Sequence, residues 1–321
     1  MEAFKRNFLR HVEAVAQWMT THRAGGGINP VTLHLEITCD GTTHRFTPQF
    51  FELKPDGTVS FARDLKPSVI GFVSWLPYPA KGWPIAQDKA AFKAFARTHN
   101  IPTPDSWADT PLAAPFIVKT SRSSLGQGQR GPFAAGTPVQ LAPGEFCERF
   151  IFGSLVKAWY WDAELVVAEH VAMPMVQGDG QQTLGDLVAA RLDAGVALPR
   201  HFANVAKLQG LDPESVLTDR QVAFADYQYM SPMNPAISID HDVRKSIAGT
   251  RLEAELQSAG RACFDAIPAE LRPGVAFSLD AVLDQEGRVW FLEANCNPLL
   301  HPSFYRHMLD ALFARPSERA P

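Results

Sequence analysis

The chain has 321 residues, 46% hydrophobic and 20% charged, enough to bury a large core over about two or three domain-sized units; disorder, collagen and coiled coil are excluded. Thirty Lys and Arg against 34 Asp and Glu give a formal net charge of -4, so no basic field is offered to nucleic acid or an anionic membrane. The first residues carry charges throughout, no run of about 18 apolar residues occurs, and four scattered cysteines (Cys39, Cys147, Cys263, Cys296) form no CxxC pair, so a soluble, untargeted, cytoplasmic protein with reduced thiols is expected.

Phe4, Phe8, Val12, Val15 and Met19 recur at helical spacing and predict an opening helix that Gly25-Gly26-Gly27 ends. From Val31 to Ala62 the pattern is strand-like, with turns at Asp40-Gly41 and Asp56-Gly57, and Val69 to Leu76 reads as a buried strand. Prolines 77, 79 and 84 interrupt the chain before Asp88-Lys89 begins a helix, which puts a domain boundary near residue 85. Strands are expected at Phe116 to Lys119, Phe146 to Phe150, Val156 to Trp161 and Leu165 to His170. Thr183-Leu-Gly-Asp186 fits a capping box, and Val243 to Ile267 predicts one long amphipathic helix.

The most informative stretch is VAFSLDAVLDQEGRVWFLEANCNP. With Gln285 to Arg288 as a four-residue hairpin loop, Asp284 pairs with Val289 and Asp280 falls opposite Glu293, with Asn295 on the same face. Two acids embedded in apolar strands repel unless a cation lies between them, and hard oxygen donors without a Cys/His set favour Mg²⁺. A solvated sheet edge with unrelated acids is the competing reading. Gly126-Gln-Gly128-Gln-Arg-Gly131 matches GxGxxG, but its strand ends too early and PFAAGTP cannot open a helix, so a Rossmann reading fails on context. What remains is a strand ending at Lys119 and a glycine-rich flap whose backbone N–H groups could cover phosphates, with Lys89 and Lys119 as point charges.

These segments, taken with IPTP and GEFCERFIFG in the same order, resemble ATP-grasp enzymes over about residues 85 to 305. The metal hairpin resembles that of D-alanine:D-alanine ligases and glutathione synthetases. VAMPMVQGDGQQTLGDLV is similar to a segment of cyanophycin synthetase and bifunctional glutathione synthetases. The resemblance implies an α+β (α/β) fold with two lobes clasping ATP after a short β-rich domain: residues 1–85, then 86–175 with the flap, then 176–321 with the metal site. It implies ATP and Mg²⁺ as cofactors: nucleotide held by Lys89, Lys119, Gly126, Gly128, Glu148, Arg149 and Phe150, metal by Asp280, Glu293 and Asn295. Lys157 and Asn295 would act at the reacting centre.

The implied reaction is carboxylate–amine ligation through an acylphosphate, on an amino acid or short peptide. Partners are small molecules, with no nucleic acid or membrane, and a homodimer by analogy. Three departures bear on the acceptor: Ser278 stands where D-alanine ligases carry arginine, Lys157 stands for another arginine, and Leu299 for the usual glycine. A small-molecule kinase and a nucleotide-binding module without turnover therefore stay open as alternatives. Among other residues, Cys147 and Cys296 read as packing, one face of Trp159-Tyr160-Trp161 as pocket lining, and His301 and Tyr305 as substrate contacts or local packing.

Overall fold

The computed structural model describes residues 2–109, 112–123, 126–229, 231–234 and 241–314, with side chains from residue 7 onward. Helix α1 (Glu2–Thr21) forms on the predicted stripe, with Val15 and Trp18 buried and Phe8 and Val12 packed beside them. The glycines after it do more than end it, because Gly25–Ile28 is strand β1, paired antiparallel with β2 (Leu35–Cys39). Gly26 has φ +143°, and a Cβ there would lie 2.0 Å from the Glu36 carbonyl oxygen, so only glycine allows this approach. Asp40 and Gly41, both at positive φ, make the tight turn into β3 (Thr42–Leu53), matching the twist of the flanking strands. The long β3 then pairs with both β4 (Val59–Ala62) and β5 (Val69–Leu76), completing a five-stranded N-terminal sheet.

After α2 (Pro84–Gln87), Asp88 caps α3 (Lys89–Thr98) by accepting from the N–H groups of Ala90 (2.9 Å) and Ala91 (3.2 Å). The second sheet uses β6 (Ser106–Trp107), β7 (Phe116–Thr120), β8 (Arg130–Phe133) and β9 (Glu145–Arg149) in the order β6-β9-β7-β8. The next strands, β10 (Gly153–Trp161) and β11 (Glu164–Val171), belong to a third sheet. Residues 86–175 therefore feed two sheets, the change falling between Arg149 and Gly153. A small unit follows: β12 (Met175–Gln177), α4 (Leu184–Ala189) capped by Thr183 as expected, α5 (Phe202–Leu208) and β13 (Val222–Phe224), which pairs with β12.

Helix α6 (Arg251–Asp265) starts eight residues later than the apolar pattern predicts. Gly249 at φ +74° breaks the path and Thr250 caps, accepting from the Glu253 N–H, so residues 243–249 form turns instead. The chain closes with β14 (Ala276–Asp284), β15 (Val289–Cys296) and α7 (Phe304–Phe313).

The third sheet runs β11-β10-β14-β15, antiparallel throughout. On one face Val156, Ala158, Tyr160, Phe277, Leu279 and Ala281 share a core with residues of α3 and α6. On the other, Trp159, Trp161 and Ala276 meet α7 and the N-terminal sheet. Both tryptophans are thus core, since Trp159 is fully buried and its indole N–H donates to the Leu299 carbonyl (2.8 Å); the expected pocket-lining face is not formed by them. Tyr305 is core too: its hydroxyl accepts from the Trp75 N–H (3.0 Å) and bonds to His11 Nδ1 (2.8 Å), so it is no substrate contact. The described helices include none long and apolar enough to cross a membrane.

Candidate functional site

The hairpin that carries the acids forms with one irregularity. Near the loop the pairs are Leu283–Val289, Val282–Trp290 and Ala281–Phe291, one residue off the expected register. A bulge after Asp280 restores it, so Asp280 faces Glu293 and Ser278 faces Asn295 as the loop-length argument requires. Across the other edge of β14, Lys157 of β10 pairs with Asp280. Lys157, Asp280 and Glu293 thus stand abreast on three adjacent strands, with Asn295 one pleat further along the same face.

These groups neutralise one another. Lys157 Nζ lies 2.5 Å from Asp280 Oδ1, Lys89 Nζ lies 2.9 Å from Glu293 Oε2, and Asn295 Nδ2 donates to Asp280 Oδ2 (3.0 Å). Burial, with the nearby Glu293 charge added, raises the Asp280 pKa although Lys157 opposes the shift. Burial also disfavours ionised Glu293, but Lys89 and Lys119 outweigh it and hold its pKa below the usual value. No group of three His, Cys, Asp or Glu placed for a metal occurs among the described residues. The donor set here is instead two facing carboxylates and an amide, hard oxygen chemistry whose mutual repulsion a divalent cation would relieve, so it fits Mg²⁺.

Lys119, at the end of β7, points to Glu148 of β9, which is 1% exposed, with Nζ–Oε1 2.6 Å. The second oxygen of Glu148 is taken by Lys93 at 2.5 Å. Burial alone would raise the Glu148 pKa, yet the two ammonium groups outweigh it and hold the carboxyl below its usual value. Lys93, itself 2% exposed, has its pKa lowered by burial despite the partner. The sequence reading missed Lys93, although its spacing of four from Lys89 on the buried face with Phe92 and Ala96 was the available signal.

Gly126 and Gly128 both have positive φ (+67° and +72°) in the loop between β7 and β8. Two side chains tie this loop down. Lys89 Nζ donates to the Ser123 carbonyl (2.5 Å), and the Gln127 amide bonds to both backbone groups of Val59, donating to O (2.7 Å) and accepting from N (3.1 Å). The loop thereby spans from the lysines to the edge of the N-terminal sheet.

Lys89, Lys119, Glu148, Lys157, Asp280, Glu293 and Asn295 line one cavity of about 1040 Å³, whose wall carries seven cationic and four acidic side chains. One end is apolar, built from Ile117, Phe150, Met173 and Tyr227, with Arg149 beside it. Every expected site residue except Gly128 reaches this cavity; Gly128 lines a smaller adjoining one between the loop and β4. Cys296 touches the wall and Cys147 is buried; both thiols are pushed up in pKa by burial, which suits packing and not nucleophilic chemistry. Ser278 is fully buried, leaving Lys157 as the nearest cation on that face, with the Tyr229 ring 5.3 Å from its ammonium. The Tyr229 hydroxyl donates to Glu169, which is buried and stands 3.4 Å from His301 Nε2. His301 therefore lies behind the site without lining the cavity. Met230 and Pro235 lie outside the described residues.

No family model matches the sequence, and no curated protein matches it either. Among solved structures, the chain is similar to a bifunctional glutathione synthetase from Pasteurella multocida: 12% identity, TM-score 0.48, over 95% of this chain and 44% of that one. It is similar to a D-alanine–D-alanine ligase from Bacillus anthracis at 15% identity and TM-score 0.38, over 70% of this chain and 65% of that one. A third likeness is to the ATP-grasp ligase PsnB, at 14% identity and TM-score 0.31, over 69% and 55%. The chain thus spans less than half the length of that glutathione synthetase and about two thirds or less of the other two.

Proposed function

We propose that the chain is an ATP-grasp carboxylate–amine ligase that forms an amide bond through an acylphosphate, acting on an amino acid or short peptide. The observation that carries this reading is the row Lys157–Asp280–Glu293 on three paired strands, facing Lys89 and Lys119 in one cavity. Four of the groups already pair as cation and anion, so phosphate oxygens can replace carboxylates on the lysines without a large change in charge.

In this reading Lys89 and Lys119 hold phosphate oxygens, the loop at Gly126 and Gly128 covers them, and the base sits among Ile117, Phe150, Met173 and Tyr227, near Glu148 and Arg149. Asp280, Glu293 and Asn295 would hold Mg²⁺, which when bound neutralises phosphate charge. A substrate carboxylate oxygen attacks the γ-phosphorus, the bond to the bridging oxygen breaks, and ADP leaves. The amine nitrogen then attacks the acyl carbon, phosphate departs with the electron pair of the C–O bond, and the amine proton ends on phosphate. Lys157 is the cation facing the developing negative oxygen, and Asn295 orients it through Asp280. The division into residues 1–85, 86–175 and 176–321, a cytoplasmic setting, small-molecule partners and a homodimer belong to the same proposal.

The test follows an oxygen atom. With ¹⁸O in the substrate carboxylate, one label per turnover should appear in the released phosphate. Label-free phosphate would exclude the acylphosphate, and a stable phosphorylated product would make the protein a kinase.

A further inference from the structure

The cavity's charges do not cancel, and the surplus points to the substrate, given the ligase reading above. Each acid in the wall has a cation: Arg122 on Asp88 (3.1 Å), Lys119 on Glu148, Lys157 on Asp280 and Lys89 on Glu293. Three cations remain. Lys81 is used by the fold, since its ammonium donates to the carbonyls of Leu271 (2.9 Å) and Pro273 (3.0 Å) and covers the Tyr78 ring. Arg149 stands at the apolar end beside Phe150. Arg63, exposed on the wall just past β4 of the N-terminal sheet, has no hydrogen bond or ion pair with any described residue.

Its neighbours on that wall share a character. Phe61 is 45% exposed although it lines a cavity, and its ring centroid lies 5.4 Å from that of Phe51. Gln49 is 3% exposed, and its amide nitrogen has no hydrogen-bond partner among the described residues. A guanidinium without a counter-ion and an unused amide donor offer a planar anion the donors it lacks elsewhere, while two aromatic rings offer a surface for a short apolar stem. One guanidinium fork matches one carboxylate, and no second free cation stands on this sheet's share of the wall as a phosphate would favour.

We propose that the N-terminal sheet forms the pocket for the carboxylate substrate, and that this substrate carries a second carboxylate, held by Arg63 beside Phe51 and Phe61. The full-length protein, loaded with Mg²⁺ and a non-hydrolysable ATP analogue, would be titrated with L-aspartate and L-glutamate against L-asparagine and L-glutamine. The wild type should bind at least one acid about tenfold or more tighter than its amide. R63Q should reduce that preference to within about twofold while the analogue's affinity stays unchanged, and R63K should keep an intermediate preference because it retains charge without the fork. Equal or undetectable binding of acid and amide, an unaltered preference in R63Q, or a loss confined to the analogue would each overturn the subsite while leaving the nucleotide site standing. A wild type that does not bind the analogue at all would instead refute the ligase reading, and the subsite with it.

Discussion

At the residue scale, Asp280 and Glu293 carry the account, because two acids on adjacent buried strands need a cation between or beside them. In the ligand-free chain lysines fill that need. The isosteric double variant D280N/E293Q should lower Mg²⁺-dependent ATP turnover at least about a thousandfold, on the scale of losing a metal's charge stabilisation. Its far-UV circular dichroism should match the wild type, and wild-type turnover rates would remove the hairpin from the site. The pair was legible in the sequence because a strand has period two and a short loop limits the register; the bulge after Asp280 moved the loop-side pairs without disturbing it. Lys93 was not, because a lysine on an apolar helical stripe reads as a snorkelling side chain until Glu148, fifty-five residues later, is seen to meet it.

At the element scale, the glycine-rich loop is positioned by two sheets. Its lysine side is fixed through Ser123, and its tip is fixed by Gln127 on the edge of β4, where one amide replaces a missing strand partner. Q127A removes both bonds of that latch and leaves the phosphate-facing residues alone. The expected result is a KM for ATP raised about five- to 150-fold, since two exposed-edge hydrogen bonds contribute about 0.5–1.5 kcal/mol each, with thermal stability little changed. An unchanged KM would show that the loop is held elsewhere. The loop's sequence marked it as a flap, whereas its docking strand was invisible, because Val59 and Gln127 become neighbours only through tertiary packing. The late start of α6 has a similar origin: the apolar period continues through 243–250, and only Gly249 and the Thr250 cap decide where the helix begins.

At the scale of the whole molecule, one core joins the two ends of the chain. His11 of α1 and Tyr305 of α7 share a hydrogen bond (2.8 Å) amid residues of both the N-terminal and the third sheet. Burial, aided by the charges of His301 and Arg10, pushes the His11 imidazole down to about 3, so it stays neutral in the fold. An unfolded histidine titrates near 6.5, so between those values the unfolded chain binds the proton that the fold refuses, and stability falls as pH drops. Unfolding free energies from urea titrations between about pH 6.5 and 5 should decline at up to about 1.4 kcal/mol per pH unit from this group, and H11Q should flatten the slope. An equal slope in H11Q would assign it to other groups. The sequence marked residues 1–85 as a separate β-rich start, but their share of the cavity wall could not be read from it, since Gln49, Phe51, Phe61 and Arg63 meet the site only after the sheets pack. The central claim, amide ligation, is tested most directly by ADP release across pairs of carboxylates and amines: ADP should form only when both are present with ATP and Mg²⁺, in equal amount to amide. ADP formed without an amine in stoichiometric yield with a stable phosphorylated product, or no ADP from any pair despite bound ATP, would contradict it.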